Sequence, residues 1–122
     1  MSLTSDIIRG HTETVILARL AEGDSYGYQI SKTVAALSGG EFEFKEGTLY
    51  TAFRRLEQGG YIRSYWGGTE PEDDSRGPRR RYYAITPAGR ELFRNNLAEW
   101  ERVKTVIDHL MQAGLPAQNE EA

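Results

Sequence analysis

The spacing of apolar residues divides the first part of the chain into helical and strand-like segments. Residues 7–22 carry apolar side chains near the helical period and predict a single helix. A second helix is predicted at residues 26–38, with Asp24 or Ser25 as its N-cap. The segment 41–45 alternates polar and apolar residues, which is typical of a short half-buried strand.

A third helix is predicted at residues 46–58, and its two faces differ in chemistry. The apolar side chains fall in one narrow stripe, formed by Leu49, Ala52, Phe53 and Leu56. The opposite face is polar and holds Gly47, Thr51, Arg54 and Gln58, flanked by Thr48, Tyr50 and Arg55. One face is therefore expected in the core, and the other is expected to present hydroxyl and guanidinium groups.

The second half of the chain predicts a hairpin followed by a long helix. Residues 61–66 and 79–85 are rich in β-branched and aromatic types, and the turn formers of 67–78 separate them. Thr86 and Pro87 are a typical helix start, and the helix is expected to reach Gln112 or Ala113.

This order of elements predicts a mainly α (α+β) fold, a winged helix-turn-helix with a long C-terminal dimerisation helix. The DNA-binding part is expected at residues 1–85, the dimerisation helix at 86–114 and a flexible tail at 115–122, all within one compact unit. At 122 residues the chain has room for one domain with a modest core.

Composition narrows the class of protein. No apolar run approaches the roughly 20 residues that span a bilayer, and no signal peptide is recognised at the N-terminus. The chain has no cysteine, which excludes disulfides and thiolate metal sites and fits a cytoplasmic location. We therefore expect a cytoplasmic protein without a membrane partner.

The net charge of −3 conceals an uneven distribution. Residues 45–94 hold ten basic and seven acidic side chains, and the rest of the chain holds five basic and eleven acidic ones. The basic side chains are densest at 76–81, with the sequence RGPRRR. Since a phosphate backbone responds to a local patch, the acidic total does not exclude a nucleic acid partner.

The polar face of the third helix has the chemistry of a major-groove reader. Arg54 and Arg55 each offer a two-point donor to guanine or a clamp for phosphate, and Tyr50 and the threonines suit phosphates or a thymine methyl group. The hairpin arginines suit the backbone or a narrow minor groove, although the strand period allows at most two of the three at 79–81 to point the same way. The alternative is that these arginines only provide a solvated surface.

Six motifs in order resemble the PadR family of transcriptional regulators over nearly the whole chain. They are DSYGYQI at 24–30, EGTLY at 46–50, RRLE at 54–57 with GYI at 60–62, SYW at 64–66, GPRRRYY at 77–83 and ITPAG at 85–89. Family members usually have proline where this chain has Thr51, which affects the expected base preference. The resemblance implies a homodimeric repressor. It places DNA contacts at Ser25, Tyr28, Gln29, Thr48, Tyr50, Thr51, Arg54 and Arg55, and on the hairpin at Arg76, Arg79, Arg80 and Arg81.

The last predicted helix carries an apolar seam that is too long for its own domain. A helix of 27 residues is about 40 Å long, beyond what three short helices can cover. Its seam starts at Phe93 and is expected to form a dimer interface through Leu97, Trp100, Val103, Ile107 and Leu110. The alternative is a seam folded back on the first helix, which we expect only near Leu92 and Phe93.

Trp100 lies in the middle of this seam, where two copies of its ring would approach each other across a dimer axis. Such a pair could stack on a planar aromatic guest, or the ring could simply fill the dimer core. The chain is similar to the short, single-helix branch of PadR-like regulators that includes multidrug-sensing repressors. That similarity implies a pocket at Trp100 lined by Val15, Phe93, Asn96 and Val103. Lys104 is less suited than an acidic residue to cationic guests, so neutral and anionic aromatics are equally expected.

No catalytic, metal or cofactor motif supports an enzyme. His11 and His109 stand in opposite terminal helices without a recognisable motif around them, and packed or surface roles are expected for both. The expected function is a ligand-responsive repressor that binds an inverted-repeat operator in double-stranded DNA. The alternative, which the pI of about 5.4 allows, is a winged-helix module that binds protein and not DNA.

Overall fold

The computed structural model describes residues 3–67 and 79–116, which form five helices and three strands. In chain order these are α1 (Leu3–Arg9), α2 (Thr12–Ala21), β1 (Ser25–Tyr26), α3 (Gly27–Leu37), α4 (Glu46–Gln58), β2 (Ile62–Gly67), β3 (Arg80–Ile85) and α5 (Pro87–Gln112). The mainly helical winged fold with a long C-terminal helix is thus confirmed. The predicted tip of the hairpin lies mostly outside the described residues, as does the end of the tail.

The prediction of a single helix at 7–22 is wrong, because the helix is interrupted between α1 and α2. The amides of Gly10 and His11 donate to the carbonyls of Ile7 and Ile8, which closes α1 with tight i to i−3 bonds. His11 has non-helical dihedral angles and becomes the N-cap residue of α2. An isolated glycine inside a helical pattern is tolerated often enough that the sequence did not indicate a break there.

The strand predicted at 41–45 is also wrong, and so is the side-chain cap at Ser25 or Asp24. The Ser38 hydroxyl accepts a hydrogen bond from the Phe42 amide at 3.1 Å, which fixes this segment as a loop after α3. Polar and apolar residues alternate in this loop because Phe42 is buried and packs edge-to-face with Phe44. The residue that caps α3 is Tyr26, without a side-chain bond, and Ser25 belongs to β1.

The three strands form an antiparallel sheet in the order β1-β3-β2. We call β2 and β3 the wing. In the register, Tyr83 of β3 stands between Ser25 and Ser64, and Tyr82 stands between Tyr26 and Tyr65. The short strand β1 therefore attaches the start of α3 to the wing.

The core lies between α2, α3, α4 and the inner face of the sheet. The apolar stripe predicted on α4 is confirmed, since Leu49, Ala52, Phe53 and Leu56 are all buried. Phe53 stacks on Tyr83 with 4.0 Å between ring centroids. This burial holds α4 with its apolar face inward, and its polar face is turned to solvent.

Helix α5 leaves this core after its first turns. Thr86 caps it as predicted, with its hydroxyl accepting from the Gly89 amide at 3.1 Å. Leu92 and Phe93 pack against the core, whereas most residues after Trp100 are exposed. The helix extends about 39 Å, and neither it nor any other helix in the described ranges is apolar enough to cross a membrane.

Candidate nucleic-acid interface

Helix α4 presents its predicted polar face to solvent. Its first turn begins at Glu46 after the loop 38–45, and its last turn ends at Gln58, with Gly59 as the C-cap residue. The exposed side chains on this face include Thr48, Tyr50, Thr51, Arg54, Arg55 and Gln58. Tyr50 leans sideways over the start of α3, where a Cβ atom built on Gly27 would lie 2.8 Å from its hydroxyl oxygen.

The start of α3 adds a second exposed polar patch beside α4. Tyr28 is 68% exposed, and the Lys32 ammonium group lies 5.6 Å from the centre of its ring. Gln29 is exposed, and its side-chain oxygen accepts from the Ser25 hydroxyl at 2.6 Å. Ser25 itself is buried, so it supports Gln29 from below and does not reach the surface.

The wing arginines point to both sides of β3, as the strand period requires. Arg79, Arg80 and Arg81 are exposed, but Arg80 lies over the Tyr26 ring at 4.9 Å on one face. On the other face, Arg81 donates from Nη2 to the Ser64 hydroxyl at 2.8 Å and lies over Trp66. Arg76, the remaining predicted wing contact, lies outside the described residues.

A polar network ties the end of α4 to the wing. The Ser64 hydroxyl donates to the Glu57 carboxylate at 2.7 Å, and Arg81 completes the network 3.7 Å from the same carboxylate oxygen. The network joins the last turn of α4 to both strands of the wing. This contact of Glu57 with Ser64 was not predicted from the sequence, because only the folded hairpin brings these partners together.

A row of tyrosines crosses the other face of the sheet. Tyr82 packs against Tyr26 at 5.3 Å on one side and against Tyr65 at 5.7 Å on the other. Tyr65 donates its hydroxyl proton to the Asp24 carboxylate at 2.6 Å, and this bond is the main cause that raises the pKa of Tyr65. Burial raises the pKa of Tyr83 on the inner face. The row is a further feature that the sequence analysis missed.

A polar cleft of about 840 Å³ lies between α4 and the junction of α1 and α2. Thr48, Thr51 and Arg55 form one wall, and His11 and Glu13 lie on the other. Its basic lining residues are Arg9, Lys45 and Arg55, and its acidic one is Glu13, whose Oε2 atom lies 3.3 Å from Arg55 Nε. The cleft therefore continues the basic surface of α4 towards α5.

The residues predicted for a ligand pocket lie around the contact between α5 and α2. Trp100 is half-buried, with its ring edge-on to His11 at 4.9 Å between centroids, and Asn96 donates to the Thr14 hydroxyl at 2.9 Å. Val15 and Phe93 pack against the core of the same chain, and Val103 is half-buried. His11 is a neighbour of Trp100 that the sequence analysis did not predict.

The apolar seam of α5 is largely uncovered in the single chain. Leu97 is 43% exposed, Ile107 is 39% exposed and Leu110 is 72% exposed. Val106 and Met111, which were not predicted, are also exposed on this half of the helix. Such a seam is what a partner helix would cover. Among the described residues, no group of histidines and carboxylates is placed to hold a metal ion.

Comparisons with known proteins agree with this arrangement. The sequence model of the transcriptional regulator PadR-like family matches residues 16–95. The chain is 46% identical to a transcriptional regulator from Clostridium thermocellum, with a TM-score of 0.76 and coverage of 88% of this chain and 97% of that one. It is 33% identical to a PadR family transcription regulator from Clostridium difficile, with a TM-score of 0.68 and coverage of 83% and 98%. It is also 42% identical to an uncharacterized protein from Lysinibacillus sphaericus, over 88% of this chain and 94% of that protein.

Proposed function

The chain belongs to the PadR-like family of transcriptional regulators, which are DNA-binding repressors and not enzymes, and we propose that it binds an inverted-repeat operator as a ligand-responsive homodimer. The observation that carries this proposal is the solvent-facing polar side of α4. A helix about 10–12 Å across fits the major groove, so this side can reach base edges. Since the partner is double-stranded DNA, we expect the protein to act in the cytoplasm.

The DNA contacts of this proposal come from three elements. Helix α4, the recognition helix, contributes Thr48, Tyr50, Thr51, Arg54 and Arg55. The start of α3 contributes Tyr28 and Gln29, with Ser25 holding Gln29 in place. Arg79 and Arg80 contribute from β3 and the residue before it, and Arg81 joins the wing to α4 through Glu57 and Ser64. Arg76, outside the described residues, stays a predicted contact. Phosphate contacts from the wing would position the recognition helix, and contacts from α4 would supply sequence preference.

The dimer of this proposal forms through the uncovered seam of α5. Residues 1–85 then act as the DNA-binding part and 86–114 as the dimerisation helix. Leu97, Trp100, Val103, Ile107 and Leu110 pair with their symmetry mates, and twofold pairing is the commonest way to bury such a surface. Two recognition helices about 34 Å apart would match half-sites one turn of DNA apart.

DNA binding is tested by a mobility-shift titration with the protein's own upstream region across a range of salt concentrations. We expect the binding constant to fall steeply with salt, by about 10³-fold or more between 50 and 200 mM, because phosphate contacts release counterions. A control fragment of equal length and scrambled sequence should bind more weakly. No shift with any fragment at low salt would favour the alternative, a winged-helix module for protein partners.

The ligand of this proposal is a planar aromatic molecule bound at Trp100. Support comes from the half-buried indole next to Asn96 and Val103, at the point where α5 leaves its own core. With a second copy of the chain on the seam, Val15 and Phe93 would line the sides of the same space. A guest that favours one spacing of the two α5 helices would move the recognition helices and shift the population away from the DNA-bound form.

We expect flat aromatics to quench Trp100 fluorescence in a Trp66→Phe background, where Trp100 is the one remaining tryptophan. The anion 2-naphthoate and the neutral 2-naphthamide are suitable probes, since Lys104 does not favour cations. Trp100→Ala should weaken binding of the probes about tenfold or more by calorimetry, because it removes the stacking surface. An unchanged affinity after Trp100→Ala would place the guest elsewhere.

A further inference from the structure

We propose that Arg55 is the arginine of α4 that reads a base, that Glu13 of α2 is the positioning residue that holds it, and that Arg54 contacts only phosphate. This inference deepens the proposed function and rests on it. It begins from a difference between two adjacent arginines that look equivalent in the sequence. Both are exposed on the polar side of α4, Arg54 near the middle of that side and Arg55 on its flank.

The contact with Glu13 engages Arg55 at one end of its guanidinium group. Glu13 Oε2 lies 3.3 Å from Arg55 Nε, while the Arg55 side chain remains 71% exposed. A carboxylate next to Nε leaves the edge formed by Nη1 and Nη2 available. That edge makes the two-point contact to guanine O6 and N7, the commonest specific contact in the major groove.

An arginine that is held by a partner and one that is not are expected to differ in how well they distinguish one DNA sequence from another. An arginine side chain loses considerable rotamer freedom when it is fixed, and the ion pair with Glu13 favours one arrangement of Arg55 before DNA arrives. Arg54 forms no ion pair or hydrogen bond with any residue of 3–67 or 79–116. An exposed guanidinium can contact a phosphate on any sequence, so Arg54 adds affinity without preference.

Glu13 is well anchored for this role. It lies in the first turn of α2, where a carboxylate is favoured by the helix dipole, and only 35% of its side chain is exposed. The same helix is fixed in the core by Ile16 and Leu17, which are fully buried. Arg9 and Lys45 also line the cleft around Glu13, so removing its charge leaves the cleft more basic.

A DNA-binding assay therefore distinguishes two roles for Glu13. If Glu13 positions Arg55, its removal leaves or raises the affinity for any DNA and lowers the preference for the enriched sequence. If Glu13 acts only through its charge, the affinities for all duplexes change together. The probes are duplexes that the wild-type protein enriches from a random-sequence pool and a scrambled duplex of equal length. Glu13→Gln should bind the scrambled duplex as well as the wild type or a few-fold better. Its ratio of enriched to scrambled affinity should fall about five- to tenfold, because Arg55 is no longer directed at its base.

The two arginines should separate in the same assay. Arg55→Ala should lower the ratio by about tenfold, whereas Arg54→Ala should weaken both duplexes by a similar factor and reduce the salt slope by about one. Adding Glu13→Gln to Arg55→Ala should change the ratio by less than about twofold, since the pair acts as a unit. The matched control is Glu22→Gln, which removes an equal charge from the C-cap of α2, where Glu22 pairs with Arg19.

Three outcomes would overturn the inference. If Glu13→Gln and Glu22→Gln each change the affinities for both duplexes by one common factor, Glu13 has a charge effect alone. A ratio lost in Arg54→Ala and kept in Arg55→Ala would reverse the assignment. Failure of the wild type to enrich any duplex would overturn the proposed function and this inference with it, and only that result bears on both.

Discussion

Replacing Ile107 by glutamate is expected to make the protein monomeric and to weaken operator binding by at least about 100-fold. Ile107 lies in the uncovered half of α5, between Val103 and Leu110 of the seam. It does not belong to the buried core of its own chain, so the substitution should leave the monomer folded. The effect therefore falls on the contact between two copies.

The size of the effect follows from symmetry. A twofold interface meets each substitution twice, so the variant loses the burial of two isoleucine side chains and places two carboxylates in an apolar seam. Lost burial alone costs about 1.5–3 kcal/mol for each side chain, and about 2.7 kcal/mol corresponds to 100-fold. A monomer holds one recognition helix and cannot occupy both half-sites at once.

Thr105→Glu is the matched control. Thr105 lies on the side of α5 away from the seam, and the substitution adds the same charge as Ile107→Glu. Sedimentation equilibrium should give a dimer for the wild type and for Thr105→Glu, and a monomer for Ile107→Glu. In mobility shifts with the enriched duplex, Thr105→Glu should bind like the wild type, and Ile107→Glu should bind at least about 100-fold more weakly. A dimeric Ile107→Glu with unchanged DNA affinity would remove α5 as the dimerisation helix.

The sequence predicted best the elements whose own residues decide their structure. The apolar stripe on α4 and the Thr86 cap with Pro87 on α5 are local signals, and both helices lie where they were expected. The 7–22 helix was wrong because local hydrogen bonds end α1 at Gly10 and His11, and the 41–45 strand was wrong because packing against the core decided that segment. Phe42 alternates with its neighbours because it fills the core next to α3, and no strand is needed to explain it.

The candidate site divides in the same way. The exposure of Arg54 and Arg55 could be predicted, since it follows from which face of α4 is apolar. That only Arg55 pairs with Glu13 could not be predicted from the sequence, because the two residues lie on separate helices and meet only in the folded chain. The same holds for His11 against Trp100. Periodicity indicates which side chains are free to bind, and the fold determines how each one is held.

Gly89→Ala is expected to destabilise the protein by about 3 kcal/mol. At Gly89 the start of α5 lies so close to the backbone of Tyr61 that only glycine fits. A Cβ atom at Gly89 would overlap the backbone oxygen of Tyr61 and lie 2.8 Å from Ile85 Cγ1. The Tyr61 oxygen accepts from the Thr86 amide at 3.1 Å, and the Thr86 hydroxyl donates to the Gly60 oxygen. The obstacle is therefore hydrogen-bonded backbone that cannot move without releasing the start of α5.

Thermal unfolding at one fixed protein concentration tests this prediction, since the melting temperature of a dimer depends on concentration. Gly89→Ala should melt about 10 °C lower than the wild type. Gly47→Ala is the matched control, because a Cβ atom there meets no other group and alanine stabilises a helix by about 0.5–1 kcal/mol. If α5 re-seats to relieve the overlap, the two recognition helices change their spacing and operator affinity falls with stability. Equal melting of Gly89→Ala and wild type would show that α5 does not rest on Tyr61, and the orientation of the dimer helix would then need another anchor.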